Sequence, residues 1–256
     1  MGENVMGDYT EKVVKINHHG REIHGVSYMP EGEGKHPIVI FSHGYNGTHA
    51  DFTLNSRYLA SNGVGAYCFD FCGGSVNSQS DLQTTEMTIF TEKEDLCAVI
   101  DSVKQWEQVD ASSIFLFGGS QGGLVTALTA DERREDVRGV LLLFPAFLIA
   151  DQWNERFPSL EDIPDTQELW GMTLGRVFFE TIHGFDVYKH IGKYDKNVLI
   201  FHGDQDSVVP LAIGEKALEL YPHVKLEVFP GEGHGFSEAG SQRVTEMTYE
   251  FVKANL

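Results

Sequence analysis

Short apolar runs alternate with amphipathic stretches along most of this 256-residue chain, and turn residues separate them. Near the start, Lys12 to Asn17 and Glu22 to Met29 alternate apolar and polar positions on either side of His19-Gly20, which predicts an antiparallel hairpin. Pro37 to Phe41, Gly65 to Phe71, Ile114 to Phe117, Val140 to Phe144, Val198 to Phe201 and Lys225 to Phe229 read as further strands, most of them continuously apolar. Such runs suit strands covered on both faces. Helical spacing appears over Ser56 to Ser61, stopped by Asn62-Gly63, and over Thr91 to Trp106, where Leu96, Val99, Ile100 and Val103 share a face. Acids Glu92, Glu94 and Asp95 lie at the start of that second helix, where the helix dipole favours negative charge. Further helices are predicted at Leu124 to Ala130, Leu211 to Leu220 and Gln242 to Leu256.

The order of elements predicts a mostly parallel sheet of eight strands with helices on both faces. From Asp151 to about Tyr194 the alternation fails. That stretch holds Trp153 and Trp170, two prolines and a helix-like run from Thr173 to Ile182, and it reads as a compact insertion between strands. Gly73 to Thr88, rich in Gly, Ser, Asn and Gln, reads as a loop. No internal repeat, low-complexity segment or linker points to a second independent domain.

Composition narrows the class without naming a chemistry. Hydrophobic content of 41% and charged content of 22% are ordinary for a globular chain. No apolar run is long enough to span a bilayer. The formal charge of −19 argues against nucleic acid or an anionic membrane as partner. Met1-Gly2-Glu3-Asn4 shows no basic n-region or apolar h-region of a secretory signal, and Met6 stands where a myristoylation site would need Ser or Thr. Cys68, Cys72 and Cys97 form neither a metal-type cluster nor a Cys-x-x-Cys pair, which favours a reduced, cytoplasmic protein. His18-His19 lies in a hairpin turn without clustered acids and is read as solvated, so no metal is expected.

One junction carries chemistry. The strand Ile114 to Phe117 runs directly into Gly118-Gly119-Ser120-Gln121-Gly122, and a helix follows. A strand turning this sharply into a helix lifts the serine hydroxyl beside a helix N-terminus, and Gly118 and Gly122 let the flanking backbone pass closely. A serine hydroxyl needs a base and an orienting acid to become a nucleophile. Two later strands end in loops that offer them. His202-Gly203-Asp204-Gln205-Asp206 precedes Ser207-Val208-Val209-Pro210, and Pro230-Gly231-Glu232-Gly233-His234-Gly235 follows the next strand. His234, between two glycines, is the candidate base. Asp206, anchored by the Val-Val-Pro run, is the preferred acid, while Asp204 remains an alternative that can instead cap the turn. The backbone N–H of Gln121 is one candidate oxyanion donor, and that of Tyr45, in the bend His43-Gly44-Tyr45-Asn46-Gly47, is the second. His43 is read as a brace for its loop.

Together these residues resemble the α/β-hydrolase superfamily, from His43-Gly44 through the Ser120 turn to Asp206 and Gly233-His234. The resemblance implies the α/β-hydrolase fold, with a core of residues 1–150 and 195–256 and a small cap of residues 151–194. More narrowly, Phe69-Asp70-Phe71, Met87-Thr88 before an acidic helix start, Ile163-Pro164-Asp165 and Thr173-Leu174-Gly175 leading to Tyr188 resemble the bacterial cinnamoyl (feruloyl) esterases. Those are intracellular serine esterases acting on hydroxycinnamic esters, without a cofactor. In them a cap tyrosine would hold the substrate phenol; here Phe178 and Phe179 fill that neighbourhood. Asp151, at the entry to the cap, can either accept a hydrogen bond from a phenol or serve as a helix N-cap. The loop Gly73 to Asn77 also departs from the expected pattern. The resulting expectation is a carboxylesterase for small or aromatic acyl groups, with a small-molecule ester as its partner. Whether it is a monomer or a homodimer stays open. An acyl-peptide or aminopeptidase-like amidase is the enzymatic alternative, and a catalytically silent hydrolase-fold binding protein is the alternative from another class.

Overall fold

In the computed structural model, residues 7–256 are described, so the readings made on Met1 to Met6 lie outside the described residues. Strands β1 (Tyr9–His18) and β2 (Arg21–Pro30) pair antiparallel from Tyr9 opposite Pro30 to His18 opposite Arg21. Their two-residue turn, His19-Gly20, has positive φ at both positions, the turn whose twist suits a hairpin. There follow β3 (His36–Ser42), α1 (Thr53–Ser61), β4 (Gly65–Phe69), α2 (Ile89–Val103), β5 (Val109–Gly119), α3 (Gln121–Glu132) and β6 (Gly139–Leu143). After β6 come α4 (Ile149–Arg156), the short strands β7 (Thr166–Leu169) and β8 (Met172–Gly175), and α5 (Arg176–Ile182). The chain then re-enters the sheet with β9 (Val198–Gly203), α6 (Leu211–Ala217), β10 (Val224–Phe229) and α7 (Glu238–Ala254).

Among the described residues the main sheet has eight strands in the order β1-β2-β4-β3-β5-β6-β9-β10. The β1–β2 and β2–β4 pairs are antiparallel, and every pair from β4 to β10 is parallel. Alternation along each buried strand divides the core in two. Ile38, Ile40, Ile114, Leu116, Val140, Leu142 and Ile200 pack with α2 and α3 on one face. Val39, Phe41, Phe115, Phe117, Leu141 and Phe201 pack with α1 and α7 on the other. The expected doubly covered sheet is present, and its physical cause is this period-two sorting of large apolar side chains.

One predicted element differs. The run Thr173 to Ile182 is not a single helix, because Thr173 to Gly175 belong to β8, paired antiparallel with β7. Trp170 and Gly171 both have positive φ and close the hairpin, while Thr84 Oγ1 donates to the Thr173 carbonyl from the loop before α2. These contacts override the helical spacing. The other differences lie at element ends: α7 begins four residues early on a Ser237 cap, and α6 stops at Ala217.

The junction of β5 with α3 fixes the geometry of the sheet's C-terminal edge. Ser120 lies between them with φ 52° and ψ −119°, a backbone region costly for a residue with a side chain. A Cβ on Gly122 would fall 2.3 Å from the His43 carbonyl oxygen and 2.4 Å from that of Ser42, and one on Gly118 would fall 2.3 Å from the Gly122 oxygen. The end of β3 therefore lies directly on the first turn of α3. We expect Gly122→Ala to lower the unfolding free energy by about 1–3 kcal/mol through overpacking. Denaturant melts would measure this, and an unchanged midpoint would show that the two backbones are not in firm contact.

Candidate active site

Four loops at the C-terminal ends of β3, β5, β9 and β10 converge, which is where open α/β sheets place their ligands. Ser120 Oγ lies 2.9 Å from His234 Nε2, and His234 Nδ1 lies 2.8 Å from Asp206 Oδ2. A carboxylate only accepts, so Nδ1 carries the proton and donates to Asp206. Nε2 is then left as the acceptor for the serine hydroxyl. The other oxygen of Asp206 accepts the backbone N–H groups of Val208 at 2.9 Å and Val209 at 2.8 Å. Its side chain is fully buried, so these two donors and the imidazole stabilise a charge that burial alone would disfavour. Asp204 lies elsewhere, accepting the Gly231 N–H at 2.7 Å, and ties the β9 and β10 loops together as a turn residue.

The imidazole of His234 also packs against Phe144, with ring centroids 4.4 Å apart. Phe144 holds a positive φ of 37° at the end of β6, and its N–H donates to the Phe201 carbonyl. It forms an aromatic wall on one side of the imidazole.

Ser120 is flanked by the start of α3 and by the loop after β3. Gln121 opens α3, so its N–H has no carbonyl within the helix to meet. Opposite it, Gly44 packs so closely that an added Cβ would sit 3.2 Å from Ser120 Cβ, which brings the Gly44-Tyr45 peptide beside the hydroxyl. His43 braces that peptide. Its Nε2 accepts the Phe71 N–H at 3.0 Å, which leaves Nδ1–H to donate to the Gly44 carbonyl at 2.7 Å. Burial pulls its pKa below the usual histidine value, so it stays neutral and serves as a brace.

A cavity of about 570 Å³ opens over Ser120, with Tyr45, Ile149, Trp153, Trp170, Leu174 and Phe178 among its walls. Its roof comes from α4 and the β7–β8 hairpin. Tyr45 fastens that hairpin: its phenol donates to the carbonyls of Leu169 at 3.0 Å and Met172 at 3.3 Å. Of the residues expected to read substrate, Phe178 lines the cavity, whereas Phe179 is buried against Trp153 and Phe157 inside the cap. Asp151 does neither of the things expected of it. It is exposed in the first turn of α4, outside the cavity walls, and the N-cap is Leu148, because the helix begins at Ile149. Gln152, Glu155, Arg156 and Ser207 supply polar edges of the cavity that the sequence did not single out.

The sequence reading also passed over the interior position of Glu92. Both its oxygens accept from the Gln121 side-chain amide, at 3.0 and 2.9 Å, and burial pushes its pKa up to about 8. The signal was available, since Glu92 falls four residues before Leu96 and seven before Val99, on the apolar face of α2.

Such a sheet, with a serine at the β5–α3 turn and its partners after β9 and β10, defines an α/β hydrolase. A family model described as serine aminopeptidase, S33, matches residues 34–183, and the chain belongs to that family. Among solved structures, Est1E from Butyrivibrio proteoclasticus with ferulic acid bound superposes with a TM-score of 0.85 at 28% identity, over 94% of this chain and 98% of that one. DcsB in complex with its substrate analogue reaches 0.83 at 20% identity, over 96% of this chain and 100% of that one, a likeness of fold. A curated relative, the non-heme chloroperoxidase CPO-A1 of Kitasatospora aureofaciens, is 38% identical over 53 residues, 20% of this chain. That match spans 19% of the relative's own length.

Because the Tyr45 hydroxyl bonds two carbonyls of the hairpin from the loop after β3, Tyr45→Phe should cost about 1 kcal/mol of stability. Amide exchange should also quicken across residues 166–175, and unchanged exchange there would show that the phenol is not the fastening.

Proposed function

We propose that this chain is a serine carboxylic ester hydrolase that works through an acyl-enzyme on small or aromatic acyl esters. Hydroxycinnamoyl esters are the aromatic class favoured. The observation that carries the reading is the unbroken hydrogen-bond chain from Ser120 through His234 to Asp206. In the first half-reaction Ser120 Oγ attacks the ester carbonyl while His234 Nε2 takes the hydroxyl proton. The N–H groups of Tyr45 and Gln121 hold the oxyanion, and Asp206 stabilises the imidazolium. As the C–O bond breaks, His234 returns the proton to the leaving alkoxide, so an alcohol departs and the acyl-serine remains. A water molecule then attacks with His234 again as base, releasing the acid and restoring Ser120.

The cavity supports the choice of acyl group. Trp153, Trp170 and Phe178 offer flat apolar walls of the kind that accept an aromatic ring. Est1E, similar over nearly all of both chains, holds ferulic acid. Since Phe178 stands where a tyrosine was sought and Asp151 lies outside the cavity, an acyl ring meets an apolar face with polar groups only at the rim. The free thiols of Cys68, Cys72 and Cys97 support a reducing, cytoplasmic setting. The family's description favours a second reading, amide cleavage. Paired turnover of an ester and its matching anilide separates the two, because amide cleavage demands stronger protonation of the leaving nitrogen by His234.

Ser120→Ala should abolish hydrolysis of p-nitrophenyl acetate and butyrate and block labelling by a fluorophosphonate probe, and full activity in that variant would end the proposal. Labelling of the wild-type chain at Ser120 would also dispose of a silent binding protein. Asp206→Asn should keep the geometry yet lower kcat by about 10⁴-fold, by favouring the wrong imidazole tautomer. A loss smaller than about tenfold would remove Asp206 from the role given it. Across a panel from acetyl to feruloyl esters, kcat/KM should rise toward the aromatic acyl groups; a fall would restrict the proposal to short acyl chains.

A further inference from the structure

Glu92 lies against the side chain of Gln121, on one flank of the candidate oxyanion site. It belongs to α2, whose start is locked by reciprocal bonds between Thr88 and Thr91, at 3.0 and 2.8 Å. Its side chain is buried, and its carboxyl group takes the Gln121 amide on both oxygens. Gln121 is buried as well, so its side chain cannot exchange this partner for bulk water. On the other side the carboxyl group borders Gly74, in the loop after β4. A Cβ placed on Gly74 would lie 3.1 Å from Glu92 Oε1 and 3.1 Å from His43 Cε1, so acid and imidazole share one small interior space.

We propose that Glu92 is a positioning residue whose carboxyl group clamps the Gln121 side chain and so fixes the backbone N–H that faces the oxyanion. This role rests on the serine hydrolase reading and names a group that the reading does not require. Its charge state matters. Asp95, one turn along α2, and neutral His43, from the loop after β3, are the titratable groups around it. Among the described residues no lysine or arginine forms an ion pair with Glu92. Burial therefore holds it as the neutral acid below a pKa of about 8. A neutral acid accepts the amide without placing negative charge near the developing oxyanion. Above that pKa a carboxylate appears there and opposes the transition state.

The sign follows from burial. The folded pKa is raised, so the neutral form dominates at pH 7 and the charged form gains as pH rises through about 8. Rates of p-nitrophenyl acetate hydrolysis between about pH 6 and 10 would be compared for wild type, Glu92→Gln and Glu92→Leu, each checked for folding by thermal melt. Glu92→Leu, which cannot take the amide, should lower kcat at pH 7 by about tenfold or more with KM within about 3-fold, part of the 10²–10³ that losing a whole donor costs. Glu92→Gln should restore kcat to within about 3-fold of wild type and abolish the wild-type fall in rate near pH 8. A purely structural acid would move the melt and leave kcat and the pH profile alone. Full kcat in folded Glu92→Leu, or identical alkaline limbs in wild type and Glu92→Gln, overturns the proposal. If Glu92→Leu fails to fold, the two alkaline limbs decide alone. A wild-type chain that cleaves no ester overturns the hydrolase reading and this role with it, whereas an active wild type with either negative result overturns this role only.

Discussion

Everything at the C-terminal edge of the sheet depends on holding Ser120 in a backbone conformation that a residue with a side chain avoids. Strain of that kind costs about 1–3 kcal/mol and survives only where neighbours over-determine it. Here they do. The Ser120 N–H donates to Leu143 on β6, and its carbonyl accepts from Gly123, Leu124 and Ala146. The β3 backbone presses on Gly122 from the opposite side. Three parallel strands thus meet at one residue, and that is why its hydroxyl has a fixed direction before any ligand arrives.

Charge is handled by the same economy of backbone donors. The chain carries a formal −19, yet several carboxylates near this edge are buried. Asp206 takes two backbone N–H groups and the imidazole. Asp70 takes the N–H groups of His49 and Gln79 together with the His49 ring. Asp95 takes the Cys72 N–H on one oxygen, while Arg21 stands 3.9 Å from the other, and burial raises its pKa to about 6. Asp70, Asp95 and Asp206 each staple a loop that has no secondary structure of its own. Glu92 differs, because it meets a side-chain amide and, among the described residues, no cation, and burial pushes its pKa up to about 8. Three of these acids hold loops, and the fourth holds the side chain of Gln121 beside Ser120.

The parts of the fold legible in the sequence are those fixed by local pattern. Continuous apolar runs identified the strands from Pro37 to Phe229, because a strand covered on both faces has little choice of residue. Ser120, Asp206 and His234 were legible because each follows a strand in a glycine-rich loop. What escaped depends on partners distant in the chain. Thr173 to Gly175 have helical spacing, but Thr84 and Thr85 hold them extended from 89 residues away. Asp151 looked like a cap or a ligand because the start of α4 is set by how the chain leaves β6, three residues earlier than the sequence pattern indicated. Glu92 was read as one more dipole-stabilising acid, and only the position of Gln121, brought in by the β5–α3 turn, gives its carboxyl group a partner.

Tyr45 links the two problems that a hydrolase of this shape must solve together. Its backbone lies beside the hydroxyl of Ser120, while its phenol, half-buried, holds the hairpin tip that roofs the cavity. Asn46 adds a bond to the Trp170 carbonyl, and Trp170 stands edge-on to the Tyr45 ring. A roof that moved independently of Ser120 would let a ligand bind in poses unrelated to the hydroxyl, and binding energy would then not reach a transition state. Fastening the roof through the loop that flanks Ser120 removes that freedom. The walls that Trp170 and Phe178 give the cavity are thereby registered against the position of Ser120.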